Sequence, residues 1–579
     1  MASLGFYRGK KRGRDDGLAV EPVCREVRLG LIRASLRLGP SSVSELVRGW
    51  PLQIVQGLRE THGDDDGHIY RLCAHQRIRF ITDYSGMDCP RQAWEEFMKS
   101  LKESEPLAHN MDFRFCRSCD IGDTQTSLLV AMAKADAESP LRKSPCHHTS
   151  IAGRLPMKAR NYIVSAAPDP EAPLEDRIAG HQHIREWIWA NRSWVFPANA
   201  TSECAVHPGQ RCPAFPWGDS DDDEPGPQAT RSRTGRGRST RATISGVTCV
   251  AWSQQGLQEG PGHASEIPHW IWHSERRVMA LRRAEDIGFF ECTKRYPVVE
   301  RLVEGMADTH RVVYIRFGSW LMGWPHERFR LLAALINHLT MLWVGPTDQN
   351  MIERDFLLRF GRRTLLAGSS LLTASTEERF EYYAELANNR PGQKGAKFTG
   401  AELREWSPDE LKLRLGPAGW LERFIAWEEQ RDLYHVPLPG RDFMADLDQW
   451  PEHGKHNKPK NRDGAVRFGA GNRWPTQLTH GSIAALAGDG GWRLATPKEH
   501  LAALGVPVHD PQNRLLGFLS ELGVPHHRIK MLAGNGMHLH LIGAWLAYVL
   551  SNTIPKPADD PFQDDILFRS QGQLDEWDD

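Results

Sequence analysis

Arg77-Ile-Arg-Phe-Ile-Thr-Asp-Tyr-Ser-Gly-Met-Asp-Cys-Pro90 is the stretch from which the rest of the chain can be read. Residues 77–83 combine β-branched and aromatic side chains over a strand's length, and Tyr84 to Pro90 supplies the turn that ends such a strand. A helix-periodic run follows from Arg91 to Lys102. Met111 to Ser118 repeats the strand signal and ends in Cys119-Asp120, and Gln125 to Ala135 repeats the helical one. Alternation of this kind predicts a parallel sheet with crossover helices. After the first strand, Ser85-Gly86 forms a small loop whose backbone can approach an anionic or polar cofactor. Asp120, ending the second strand, is in position to accept hydrogen bonds from ribose hydroxyls.

Further along, a long insert at roughly 153–243 interrupts the alternation, which then resumes. The later signals are a strand at 244–251, a helix at 268–283, and strands at 287–292, 311–317 and 329–336. Within the insert, Gly218-Asp-Ser-Asp-Asp-Asp-Glu-Pro-Gly226 leads to Arg231-Ser-Arg-Thr-Gly-Arg-Gly-Arg-Ser-Thr-Arg241. Opposite charge blocks rich in Gly, Ser and Pro cannot build a core, so disorder is expected around 218–243. Residues 341–485 lose the rhythm and read as a separate lobe with a basic patch, Lys455-His-Asn-Lys-Pro-Lys-Asn-Arg462. The expected layout is a partly disordered N-terminal segment 1–76, a catalytic domain 77–340, that lobe, a helical part 486–552 completing the domain, and an acidic tail 553–579.

A chain of 579 residues can bury a large core in two or more lobes. The formal net charge is −1, so any nucleic-acid surface must be local. The apolar window Leu539 to Leu550 is too short to span a bilayer and contains His540 and Gly543, so it reads as a core helix and no membrane partner is expected. The run Arg8-Gly-Lys-Lys-Arg-Gly-Arg14 is unlike a secretory signal and fits nuclear import, which makes the nucleus the expected location. Ten cysteines without a disulfide framework suit a reducing compartment. Cys204-x-x-His207-x-x-x-x-Cys212 has metal-ligand residue types. Its spacing is loose and a fourth ligand stays open among Cys146, His147 and His148, so no metal is expected there. Trp187-Ile-Trp189 and Trp270-Ile-Trp272 read as packing residues.

The reactive residue types concentrate further on. Gly246-Val-Thr-Cys-Val-Ala-Trp-Ser-Gln-Gln-Gly-Leu-Gln-Glu-Gly260 sets Cys249 at the end of an apolar run with glycine-bearing backbone behind it. That suits a nucleophile covered by a mobile loop, although a buried structural cysteine is the plainer reading of this segment alone. Phe289-Phe-Glu-Cys-Thr-Lys294 puts Glu291 at a strand end. Gly323-Trp-Pro-His-Glu-Arg-Phe-Arg330 sets Arg328 and Arg330 two apart, hence on one strand face. Arg493-Leu-Ala-Thr-Pro-Lys-Glu499 and Ala533-Gly-Asn-Gly536 stand near the C-terminus.

Taken in order, these segments resemble the DNA (cytosine-5)-methyltransferase family over about residues 77–550. That resemblance implies a doubly wound, mostly parallel α/β sheet of the S-adenosylmethionine-dependent methyltransferase type, with a separate target-recognition lobe. It implies that the Cys249 thiolate adds to carbon 6 of a flipped-out cytosine while Glu291 bonds ring nitrogen 3. Arg330 would contact the base carbonyl and Arg328 support the pocket. Tyr84, Ser85 and Gly86 would line the methionine end of the cofactor S-adenosyl-L-methionine, Asp120 hold its ribose, and Asn535 complete the pocket. Double-stranded DNA is the implied partner, with residues 231–241 and 455–462 as phosphate contacts. Thr248, Val250, Cys292 and His326 depart from the proline, glutamine, asparagine and glutamine that the family places there. Two alternatives therefore stand beside the main reading: a DNA-binding or scaffolding homologue without turnover, and an RNA cytosine-5 methyltransferase.

Overall fold

A computed structural model of the chain describes residues 36–60, 67–137, 144–215, 239–247, 250–252, 260–390, 397–416, 420–434, 442–449, 472–479, 481–487 and 491–556. Its central sheet has seven strands: β1 (Arg77–Asp83), β2 (Asp112–Cys119), β3 (Cys146–His148), β4 (Thr240–Gly246), β5 (Ile287–Thr293), β6 (His310–Gly318) and β7 (Phe329–Asn337). Across the sheet they lie in the order β3-β2-β1-β4-β5-β7-β6. The first five are parallel, and β7 runs antiparallel to both of its neighbours. The winding reverses between β1 and β4, and the carboxyl ends of those strands border the crevice where doubly wound sheets bind ligands. The expected doubly wound, mostly parallel sheet is the one observed.

Six of the described helices pack in the cores on the two faces of this sheet: α1 (Val43–Arg59), α2 (Cys89–Ser104), α3 (Leu174–Ala190), α4 (Glu266–Leu281), α5 (Gln349–Phe360) and α6 (Leu539–Ser551). Strand periodicity sorts the side chains between two cores. On β7, Leu332, Ala334 and Ile336 join α1, α2, α5 and α6, while Leu331, Ala333 and Leu335 join α3 and α4 on the other face. Helix α6 is buried along its whole length, the core helix its composition implies, and no described helix is long and apolar enough to cross a membrane. The insert is part of this architecture. Ile184 and Ile188, one helical turn apart on α3, pack into the second core with Ile271 and Trp272 of α4. Trp270 and Trp272 are buried, and the Arg277 guanidinium lies 3.5 Å from the Trp189 ring centre, so these tryptophans serve internal packing.

One strand differs from expectation. β4 begins at Thr240 and ends at Gly246, whereas the sequence suggested 244–251 with disorder up to 243. Thr240 to Thr243 resemble the tail of the preceding basic run, yet three of their polar groups find partners inside. Thr240 Oγ1 lies 2.8 Å from His75 Nδ1, the Arg241 amide donates to Asp286 Oδ2 at 2.8 Å, and the Thr243 hydroxyl donates to Glu285. The rest of the expected disorder, the basic runs 8–14, 231–238 and 455–462, and the tail from 557 lie outside the described residues. A third core gathers helices Thr376–Asn388 and Trp420–Tyr434 on a small antiparallel sheet of Phe443–Asp446, Ile483–Leu486 and Trp492–Leu494. This forms the separate lobe. Helix α5, by contrast, packs on β6 and α1.

Buried histidines give the fold a pH dependence. His269, His310 and His540 are each at most 2% exposed, and burial holds their pKa values down at about 3 against an ordinary 6.5. Each neutral ring has a partner: Tyr296 Oη at 2.7 Å, Thr309 Oγ1 at 2.9 Å, and the Trp324 indole N–H at 2.9 Å, respectively. Between pH 6.5 and 3 the unfolded chain binds protons that the folded chain refuses, so stability is complete above 6.5 and falls as pH drops. Each such histidine contributes about 1.4 kcal/mol per pH unit across that window. Thermal unfolding followed from pH 8 to pH 5 is expected to show a constant midpoint above about pH 7 and a steep fall below it; a flat profile would exclude neutral buried rings.

Candidate active site

The carboxyl ends of β1, β2, β4 and β5 meet at one rim of the sheet. Leaving β1, the chain turns through three left-handed residues, Tyr84, Gly86 and Asp88, with φ of 54°, 57° and 57°. A left-handed backbone costs a non-glycine residue energy, and such strain is commonly kept at ligand sites. Ser85 ties the turn to β2: its amide donates to the Cys119 carbonyl at 3.1 Å and its hydroxyl to Thr82 O at 2.9 Å. The Gly86 amide donates to Asp120 Oδ2 at 2.7 Å, and Gly122 N–H reaches Oδ1 of the same carboxylate at 3.3 Å. Burial pushes the Asp120 carboxyl up, against the pull of those backbone donors. With the Ile121 amide as a third backbone donor, a carboxylate with about four acceptor sites still has room for a further partner. A Cβ placed on Gly86 would meet nothing within 4 Å, so the space beside this loop is open. An open cradle with acceptor capacity to spare fits a ribose-bearing cofactor.

The segment that leads to Cys249 leaves β4 at Gly246. A Cβ there would lie 2.7 Å from Met537 Cε, 3.5 Å from the Tyr84 carbonyl and 3.9 Å from Glu291 Oε2, so glycine allows the three to close around it. Cys249 and Thr248 lie outside the described residues, as do residues 253–259. The neck of that loop is described: the Gly260 amide donates to Ala251 O at 3.1 Å, and Trp252 Nε1 donates to Glu266 at 3.3 Å. Glu266 in turn pairs with Arg301 at 2.7 Å.

Glu291, at the end of β5, forms an ion pair with Arg330 Nε at 2.8 Å; both side chains are at least 85% shielded but keep some exposure (12% and 15%). The two arginines, expected side by side, divide their work. Arg328 is 2% exposed and donates to the carbonyls of Gly534 and Gly536, which flank Asn535. Asn535 ends helix His526–Asn535 and is exposed, and the next residues reach the turn after β1, since a Cβ on Gly536 would sit 2.7 Å from Met87 Cε. Thus the structure brings Tyr84, Ser85, Gly86, Asp120, Glu291, Arg330 and the Asn535 segment to one rim, with Arg328 beneath it. Met537 was not singled out by the sequence; nothing in its spacing marks it, and only the closure around Gly246 reveals its place.

No family model matches the sequence, and no curated protein matches it. Among solved structures, the fold is similar to an Entamoeba histolytica methyltransferase, EhMeth, at 8% identity and TM-score 0.36, over 82% of this chain and 98% of that one. It is also similar to a Spodoptera frugiperda DNMT2 mutant (11% identity, TM-score 0.32, 82% and 99% covered) and to S. pombe Dnmt2 methyltransferase (8%, 0.33, 82% and 98%). These likenesses are distant, and the strand order carries the assignment instead. A mostly parallel seven-stranded sheet with one antiparallel strand next to its edge, flanked by helices and joined to a separate lobe, is a Rossmann-like fold of the S-adenosylmethionine-dependent methyltransferase type.

Proposed function

We propose that the chain transfers a methyl group to carbon 5 of cytosine in nucleic acid, with DNA as the substrate that its motif order favours. The observation that carries this reading is the Glu291–Arg330 ion pair beside Gly246, three residues before Cys249 and next to the Tyr84–Gly86 turn. S-adenosylmethionine would supply the methyl group, held by the 84–86 turn and Asp120. The Cys249 thiolate forms a bond to carbon 6, and the ring electrons this releases make carbon 5 the attacking atom. Glu291 bonds ring nitrogen 3, and Arg330 fixes that carboxyl while offering a donor to the base carbonyl. After methylation the carbon 5 proton passes to water, the electrons of its carbon–hydrogen bond restore the ring double bond, and the carbon–sulfur bond breaks to return the thiolate. Only an extruded base can present both ring faces to such a site.

A second reading, a nucleic-acid-binding protein without turnover, draws on Cys292. It occupies the place of the family's asparagine and is 1% exposed in the second core, so the loop neck depends on Trp252 and Glu266 instead. Incubation with labelled S-adenosylmethionine and matched duplex DNA and RNA separates the readings. Label in cytosine of DNA is the expected result; label only in RNA would move the substrate to RNA. No label, with both ligands bound, would leave the reading without turnover.

A further inference from the structure

We propose that Cys146, Cys204, His207 and Cys212 bind one structural zinc ion that fastens the insert to the edge of the sheet. Their ligand atoms all lie within 4.8 Å of one another. The sulfurs of Cys204, Cys212 and Cys146 stand 3.3, 3.5 and 3.8 Å from His207 Nδ1. A tetrahedral zinc with sulfur at about 2.3 Å and nitrogen at about 2.0 Å separates the two donors by about 3.5 Å. The three distances centre on that value. Hydrogen bonding alone does not account for them, because one imidazole nitrogen offers either one proton or one lone pair and cannot serve three sulfurs at once.

The chain builds the site from two distant pieces. Cys146 opens the edge strand β3. The other three ligands come from a small hairpin, Thr201–Glu203 with Arg211–Pro213, whose turn carries His207 and a left-handed Gly209 at φ 76°. The hairpin already leans on β3, since the Ala205 amide donates to the His147 carbonyl at 2.9 Å. Its own apolar support is small: the buried apolar cluster there consists of Ala133, Cys204, Val206 and Cys212. That is little to hold a two-stranded hairpin, which is marginal in water unaided.

The structure also chooses among the fourth ligands that the sequence left open. His147 Nδ1 is taken by Ser118 Oγ at 2.9 Å, and His148 Nδ1 faces Glu203 O at 2.9 Å and Ser202 Oγ at 3.0 Å. Cys146 alone of the three faces the cluster. Four protein ligands, three of them sulfur, with Cys204 and Cys212 buried, make a closed site with no open position for a reacting water. Binding replaces three thiol protons by the ion, so affinity falls in acid. The metal lies beside the crevice, because the His148 carbonyl at the end of β3 accepts the Asp120 amide at 3.2 Å.

The test is metal analysis of the full-length chain from zinc-supplemented cells. About one zinc per chain is expected, with X-ray absorption reporting about three sulfurs at 2.3 Å and one nitrogen at 2.0 Å. Cys212→Ser and His207→Ala should lose the ion, and Cys73→Ser, distant in the fold, should keep it. If those variants fail to fold, the wild-type absorption spectrum still decides. Folded wild-type protein without stoichiometric zinc, a ligand shell dominated by oxygen and nitrogen, or full zinc retention in a folded Cys204→Ser/Cys212→Ser double variant would each overturn the proposal.

Discussion

Glu291→Gln is expected to slow methyl transfer by about 10²- to 10⁴-fold, the range general acid–base groups supply, while S-adenosylmethionine binding stays within a factor of a few. The change keeps the shape of the side chain but removes its charge. It therefore withdraws both the proton relay at ring nitrogen 3 and the partner that orients Arg330 at 2.8 Å. Arg330→Met removes the other half and leaves a carboxylate without its cation. Its effect should appear in the rate and in nucleic-acid binding together, because the guanidinium is also the donor to the base. Single-turnover rates with labelled cofactor make the comparison. A Glu291→Gln rate equal to wild type would remove this carboxyl from the chemistry.

Arg276→Met is expected to destabilise the fold by about 3–5 kcal/mol, the cost of stranding buried charge. Below the crevice, Arg276 pairs with Glu285 through Nη1 and with Glu275 through Nη2, and Nη2 also lies 3.9 Å from Asp83. Arg154 joins from the insert, 2.9 Å from Glu275 and 3.4 Å from Asp83. All five side chains are at most 1% exposed. Burial pushes the Asp83 carboxyl up, but Arg154, Arg276 and Arg117 outweigh it and hold the group below the usual carboxylate range. Burial raises Glu285 to about 7 despite Arg276. Loss of the Arg276 cation, which pulls this group down, should raise Glu285 further and keep it protonated through neutrality, so the loss is smaller at pH 6 than at pH 8. The thermal midpoint of the variant, read at pH 6 and pH 8, checks both statements. A change under about 1 kcal/mol, the scale of an exposed pair, would mean the network is not desolvated as described.

The sheet was legible because its strands are short apolar runs separated by helical periods, and β1, β2, β5, β6 and β7 stand within a few residues of where that pattern puts them. β4 was displaced because burial of threonine and arginine depends on partners far along the chain, such as His75 and Asp286, that no local pattern shows. The same limit applies to the charge network, whose members come from β1, β2, α4, the turn between α4 and β5, and the insert. Strand-end residues such as Asp120 and Glu291 could be singled out because strand ends in parallel sheets converge. The separate tasks of Arg328 and Arg330 could not, since a two-residue spacing only fixes a shared face. Cys146 lies 61 residues from His207, a separation across which spacing rules for metal ligands have no force.

The central claim is that Cys249 attacks a cytosine held against Glu291 and Arg330. Duplex oligonucleotides carrying 5-fluorocytosine test it most directly, because fluorine cannot leave carbon 5 as the proton does and the sulfur–carbon bond therefore persists. With S-adenosylmethionine present, the account predicts a stable protein–nucleic acid adduct whose attachment maps by mass spectrometry to Cys249 and which Cys249→Ser abolishes. Absence of the adduct from protein shown to bind both cofactor and oligonucleotide, or attachment at another residue, would contradict it.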